Sequence, residues 1–132
     1  SQYMRSRKKV IAIFLVITAA SITAFLELPA GSPDSLYNYC IPLGFAGGYW
    51  AVFITTAAEQ FGTNLRATVT TTAPNFVRGS TVVLTYAFEK LQHHISIVSS
   101  AYTLGVITVI IAALSLATLH ETFGRNLDFV ED

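Results

Sequence analysis

Residues 10–28 read VIAIFLVITAASITAFLEL, a run in which Glu27 is the one charged side chain. A helix needs about 20 mostly apolar residues to cross some 30 Å of hydrocarbon, and this run meets that need. A basic island, Arg5, Arg7, Lys8 and Lys9, precedes it. The basic start and apolar run resemble a cleavable signal peptide in outline, but the run is too long and carries an acidic residue near its end.

The same plan recurs along the chain. Further apolar tracts lie at residues 39–58, 67–88 and 95–119, so the expectation is an all-α membrane protein in which residues 1–132 form one membrane domain with four transmembrane helices. Pro29, Gly31 and Pro33 make a turn between the first two tracts, because two prolines and a glycine cannot continue a helix. Glu59, Gln60, Asn64 and Arg66 form a polar connector after the second. The third tract is the least apolar, with Thr68, Thr70, Thr71, Thr72, Asn75, Arg78, Ser80, Thr81 and Thr85, and hydropathy alone leaves it doubtful. Residues 89–94, EKLQHH, are expected as a loop, and residues 120–132 as a polar, net acidic tail. Short loops imply that neighbouring helices pack as antiparallel hairpins.

Composition agrees with this plan. Hydrophobic residues make up 52% of the 132 positions and charged residues only 12%, whereas a soluble domain carries about 25% charged residues to cover its surface. A net charge of zero argues against nucleic acid as a partner, since phosphate binding needs a basic excess. Cys40 is alone, so no intrachain disulfide can form. His93 and His94 lack further ligands in their loop, no cofactor motif occurs, and no G-x-S-x-G, P-loop or H-E-x-x-H pattern points to an enzyme. Lysine and arginine gather on one side of the four tracts: the N-terminal island, Arg66 and Arg125, against Lys90 on the other. The positive-inside rule then places both termini in the cytoplasm, in a multi-pass protein of the cell (inner) membrane. Gly44 and Gly48 form a GxxxG pair, which permits close helix approach in lipid.

Arg78 is the sharpest functional candidate. It lies twelve positions beyond Arg66, about 18 Å deeper along a helix, where an unpaired guanidinium is costly. Thr68, Thr71, Asn75, Arg78 and Thr85 fall near one helical face, and Pro74 is expected to distort that helix and free a carbonyl. The stripe reads either as a transport path, with Arg78 meeting an anionic solute group, or as a structural arginine paired with a neighbouring helix. Tyr49 and Trp50 are candidates for a cavity wall, with packing or interface anchoring as the alternative. Glu59, Arg66, Glu121 and Arg125 sit at helix ends, where carboxylates and guanidiniums can latch one conformer.

Two local patterns are more specific. Residues 58–68 read AEQFGTNLRAT and resemble the A-E-x-F-P-T-x-x-R-x-T motif that follows the tenth helix of sugar-porter-like transporters of the major facilitator superfamily. Residues 119–127, LHETFGRNL, resemble the L-P-E-T-x-G-R-x-L motif after the twelfth helix of the same transporters. One two-helix hairpin lies between the two, as the family order requires. The start, SQYMRSRKK, is a weaker echo of the basic loop between the eighth and ninth helices, with Gln2 where the family has aspartate; Gly62 and His120 stand where it has proline. The resemblance covers the whole chain as helices nine to twelve of a twelve-helix fold. It implies solute transport by alternating access, and it assigns Glu59 and Arg66 to a cytoplasmic charge network that Glu121 and Arg125 can join. It also implies partners: the lipid bilayer, the N-terminal helices of the same transporter, and a small solute, which Arg78 favours as an anion. The alternative is a self-contained four-helix protein, acting as an oligomeric small exporter or as a non-transporting scaffold subunit.

Overall fold

The computed structural model describes residues 4–27, 33–124 and 130. Within them five helices follow one another: α1 Arg7–Leu26, α2 Pro33–Gly47, α3 Trp50–Glu59, α4 Thr63–Gln92 and α5 Ile97–Thr118, with no strand among the described residues. The first and last apolar tracts become α1 and α5, each opened by a serine. Ser6 and Ser96 take extended backbone angles and accept a hydrogen bond from Lys9 N and Ser99 N, satisfying donors that the first turn leaves without partners. The turn expected at residues 29–34 lies largely outside the described residues. Its last part is already helical, since α2 opens at Pro33 and proline is tolerated in a first turn, where its missing N–H has no partner to lose.

The second tract forms two helices rather than one. Gly48 and Tyr49 leave the regular ladder as a tight turn, with Gly48 N–H donating to Phe45 O at 3.0 Å. Adjacent glycines are a known cause of such breaks, and Gly47 and Gly48 supply them here. Residues Leu36–Glu59 still form one apolar stretch, and it joins Arg7–Leu26 and Ile97–Thr118 as three segments long and apolar enough to cross a membrane. These three fit a chain that crosses the membrane more than once.

The third tract departs most from expectation. α4 runs unbroken for 30 residues through Pro74, and the segment EKLQ, expected as loop, is its last turn. Glu, Lys, Leu and Gln are strong helix formers, which explains the extension. α4 is long enough to span but too polar to count among the three apolar segments.

Packing follows from which ends meet. The start of α1 lies beside the end of α3 and the segment after α5, since Arg7 bonds Glu59 and Glu121. At the other end, Tyr102 in the first turns of α5 donates to Glu27 just past α1, at 2.7 Å. α1 is therefore antiparallel to both neighbours. α4 packs on α3 and α5, so α1, α2–α3, α4 and α5 close a ring of neighbours.

Little of this bundle is buried. Among the described residues, Val10, Ala46 and Ala58 are the buried hydrophobic ones, whereas Val16, Ile41, Phe76, Val82 and Leu114 stand exposed. Ser21, Thr56 and Ser100 are buried instead, and Thr56 and Ser100 donate to their own helix backbone, at 2.7 and 3.0 Å. Small residues inside and large apolar ones outside is the pattern of helices that contact lipid. Among the described residues the Gly44–Gly48 pair forms no close helix contact: a side chain added at Gly44 would meet nothing within 4 Å, and Gly48 is crowded only by Phe45 O in its own turn.

Candidate functional site

At the end where α1 begins, polar side chains from separate parts of the chain bond one another. Arg7 donates through Nε and a terminal nitrogen to the two oxygens of Glu59, at 3.1 and 2.7 Å. This is the planar two-bond geometry that makes Arg–carboxylate pairs strong and directional. The pair is largely enclosed, with the side chains 21% and 11% exposed. Thr122, itself buried, donates its hydroxyl to Glu59 Oε2 at 2.6 Å. Glu59 is thus held by α1 on one side and by the segment after α5 on the other.

Glu121 is held as firmly. Its Oε1 accepts from Arg7 N at 2.8 Å and from Phe123 N at 3.2 Å, and its Oε2 accepts from Lys8 N at 3.3 Å and from the Ser6 hydroxyl. The carboxylate therefore sits on the opening turn of α1, where unpaired N–H groups and the helix dipole favour negative charge. Burial opposes ionisation of Glu121. The Ser6 hydroxyl and the N–H groups of Arg7, Phe123 and Lys8 outweigh it and hold the carboxyl down at about 2. Gly124 follows at φ +77°, a region glycine reaches without strain, and turns the chain just after these contacts.

Further bonds complete the cluster. Lys8 Nζ donates to Ala117 O and Leu119 O, at 3.0 and 2.9 Å, closing carbonyls that the last turn of α5 leaves open. Gln60 donates to His120 O at 2.9 Å, and the Arg7 guanidinium lies 6.0 Å from the Phe123 ring centre. Arg66, in the first turn of α4, donates to Phe61 O at 3.2 Å. Three separate parts of the chain are thereby tied at one end.

Of the four charged residues singled out in the sequence, Glu59 and Glu121 enter the cluster, Arg66 borders it, and Arg125 lies outside the described residues. Ser6, Arg7 and Thr122 complete the cluster without having been singled out. Ser6 carried a signal, a serine directly before a helical run. Thr122 stands beside Glu121 in the quoted motif. Arg7 is one of four cations in its island, and nothing in the sequence separates it from the other three.

The α4 stripe is laid out along one helix. Arg78, Asn75 and Thr71 are all exposed, Arg78 donates to Asn75 Oδ1 at 3.4 Å, and the Thr71 hydroxyl bonds Ala67 O and Thr68 O. Tyr49 lies apart from them, in an apolar cavity of about 300 Å³ among α1, α3 and α5 that includes Ile11, Phe53 and Leu116. Trp50 packs its ring 5.6 Å from that of Phe53. The sequence-derived cavity candidates thus fall in two places, the α4 stripe and the neighbourhood of the α2–α3 break. Among the described residues, no three His, Cys, Asp or Glu side chains converge to hold a metal ion.

No family model, curated protein or solved structure matches this chain.

Proposed function

We propose that this chain is the helix nine-to-twelve part of a secondary solute transporter of the major facilitator type, working by alternating access in a cell membrane with the charged end in the cytoplasm. α4 is the fourth span in this scheme, its polar stripe turned toward the solute path, where Arg78 meets an anionic group on the solute.

The observation that carries the proposal is the clasp itself. Glu59 is gripped from two directions by Arg7 and Thr122, residues 52 and 63 positions away in sequence. Such a contact is either made or broken, because a two-bond guanidinium–carboxylate pair loses both bonds when the helix ends separate. That is the property required of a gate with two positions. The two loop motifs contribute Glu59 and the Glu121–Thr122 pair to this one cluster. An arginine midway along a membrane-crossing α4 needs a protein partner, water or a ligand, and a solute anion supplies one.

Uptake of a panel of small organic anions by vesicles containing this chain together with the helices that complete the twelve-helix fold tests the proposal. Arg78→Ala is expected to abolish uptake while the protein still inserts in the membrane. Undiminished uptake by that variant would overturn the role given to Arg78.

A further inference from the structure

The cavity that holds Tyr49 does not end at α3. It shares Leu15, Thr18 and Ala112 with a second cavity of about 340 Å³ that continues between α1 and α5 past Ile22 and Val109. Together they form one apolar groove. Its threonines make no polar demand, because Thr18, Thr23 and Thr108 donate to carbonyls of their own helices. From Ile11 to Leu26 the groove follows α1 for about 22 Å, long enough to receive the ~15 Å of hydrocarbon that one leaflet provides.

One end of this groove is charged. Leu119 lines the first cavity, and its carbonyl oxygen accepts from Lys8 Nζ at 2.9 Å. Arg5 and Lys9, within three positions of Lys8 in sequence, are exposed. The cluster's two described carboxylates are already engaged, Glu59 with Arg7 and Glu121 with the opening turn of α1. The described cations at this end, Arg5, Arg7, Lys8, Lys9 and Arg66, outnumber those two acids.

We propose that the α1–α5 groove seats an anionic phospholipid, with one acyl chain lying along Leu15, Thr18 and Ala112 and its phosphate at Lys8 and Lys9. Charge complementarity selects the headgroup and the apolar lining selects the chain. The seat rests on α1 and α5 crossing the membrane, and it needs no transport activity. Its position beside the clasp means that the lipid bridges the start of α1 and the end of α5.

The protein carries its own probe. Trp50 is the sole tryptophan of the chain, packed on Phe53, which lines the groove. Bromine on an acyl chain quenches indole fluorescence at short range. The protein is reconstituted in phosphatidylcholine vesicles doped, at equal minor mole fraction, with brominated phosphatidylglycerol or brominated phosphatidylcholine. The expected result is about fivefold stronger association of the anionic lipid, the effect of one well-placed lysine. Lys8→Gln should remove the preference and Lys8→Arg should keep it, while Ala112→Phe should lower quenching by filling the groove.

Equal quenching by the two lipids would overturn the seat, and so would a preference that survives Ala112→Phe, since attraction to the basic surface would then suffice. No quenching by either lipid would instead remove the membrane placement on which both proposals stand. A preference found while the chain, joined to the helices that complete the fold, moves no solute would leave the seat intact and refute the transporter proposal alone.

Discussion

The Arg7 guanidinium meets both carboxylate oxygens of Glu59, at 3.1 and 2.7 Å, joining the first turn of α1 to the last turn of α3. Exposed pairs contribute about 0–1 kcal/mol, and breaking one side of a fully buried pair costs about 3–5 kcal/mol. At 21% and 11% exposure this pair falls between them.

Removing one partner, as Arg7→Met or Glu59→Gln, is therefore expected to cost about 2 kcal/mol of stability. A double-mutant cycle on detergent unfolding, followed by helicity, gives the coupling. A double variant whose loss equals the sum of the single losses would show that the pair contributes nothing as a pair.

Glu121 predicts a pH dependence with a definite sign. Its carboxyl is lowered from 4.5 to about 2, so its stabilising contribution is fully present above pH 4.5 and disappears as the pH falls through 2. Glu121→Gln should destabilise at pH 7, and its difference from the native chain should shrink between pH 4.5 and 2. A gap that stays constant across that window contradicts the docking of this carboxylate on α1.

The opposite end offers a smaller test. Tyr102→Phe removes the hydroxyl that donates to Glu27, and the loss of one hydrogen bond costs about 0.5–1.5 kcal/mol. Because α5 still packs on α1 along its length, the fold should survive. Cross-linking yield between cysteines placed at residues 27 and 102 would fall in a protein whose ends never meet.

α4 decides the number of crossings. Reporters inserted after Gly62 and after His94 in the full chain should report opposite sides of the membrane, since α4 crosses it between them. Reporters on the same side would reduce the chain to three spans, with α4 lying outside the bilayer.

Much of this architecture could be read from the chain itself. The runs from Val10 and from Ile95 became α1 and α5 within a few residues, because an apolar run of that length admits few other solutions and Ser6 and Ser96 mark its start. Breaks inside helical runs were harder. Gly47 and Gly48 interrupt the second tract, whereas Pro74 leaves α4 continuous, and local propensity does not separate these outcomes. The clasp was legible by halves. Glu59 and Glu121 stood out as charges at helix ends, but Arg7 and Ser6 are brought to them from 52 and 115 positions away, and helix packing, not spacing, decides such contacts.

The most direct test of alternating access uses the stripe and the clasp together. Asn75→Cys, in a background where Cys40 is replaced by serine, is labelled with a membrane-impermeant thiol reagent from either side of vesicles. Both sides should label it. Adding Glu59→Gln should raise labelling from the side of the charged cluster and lower it from the other. Labelling from one side only, unmoved by Glu59→Gln, would contradict a stripe that faces a gated solute path.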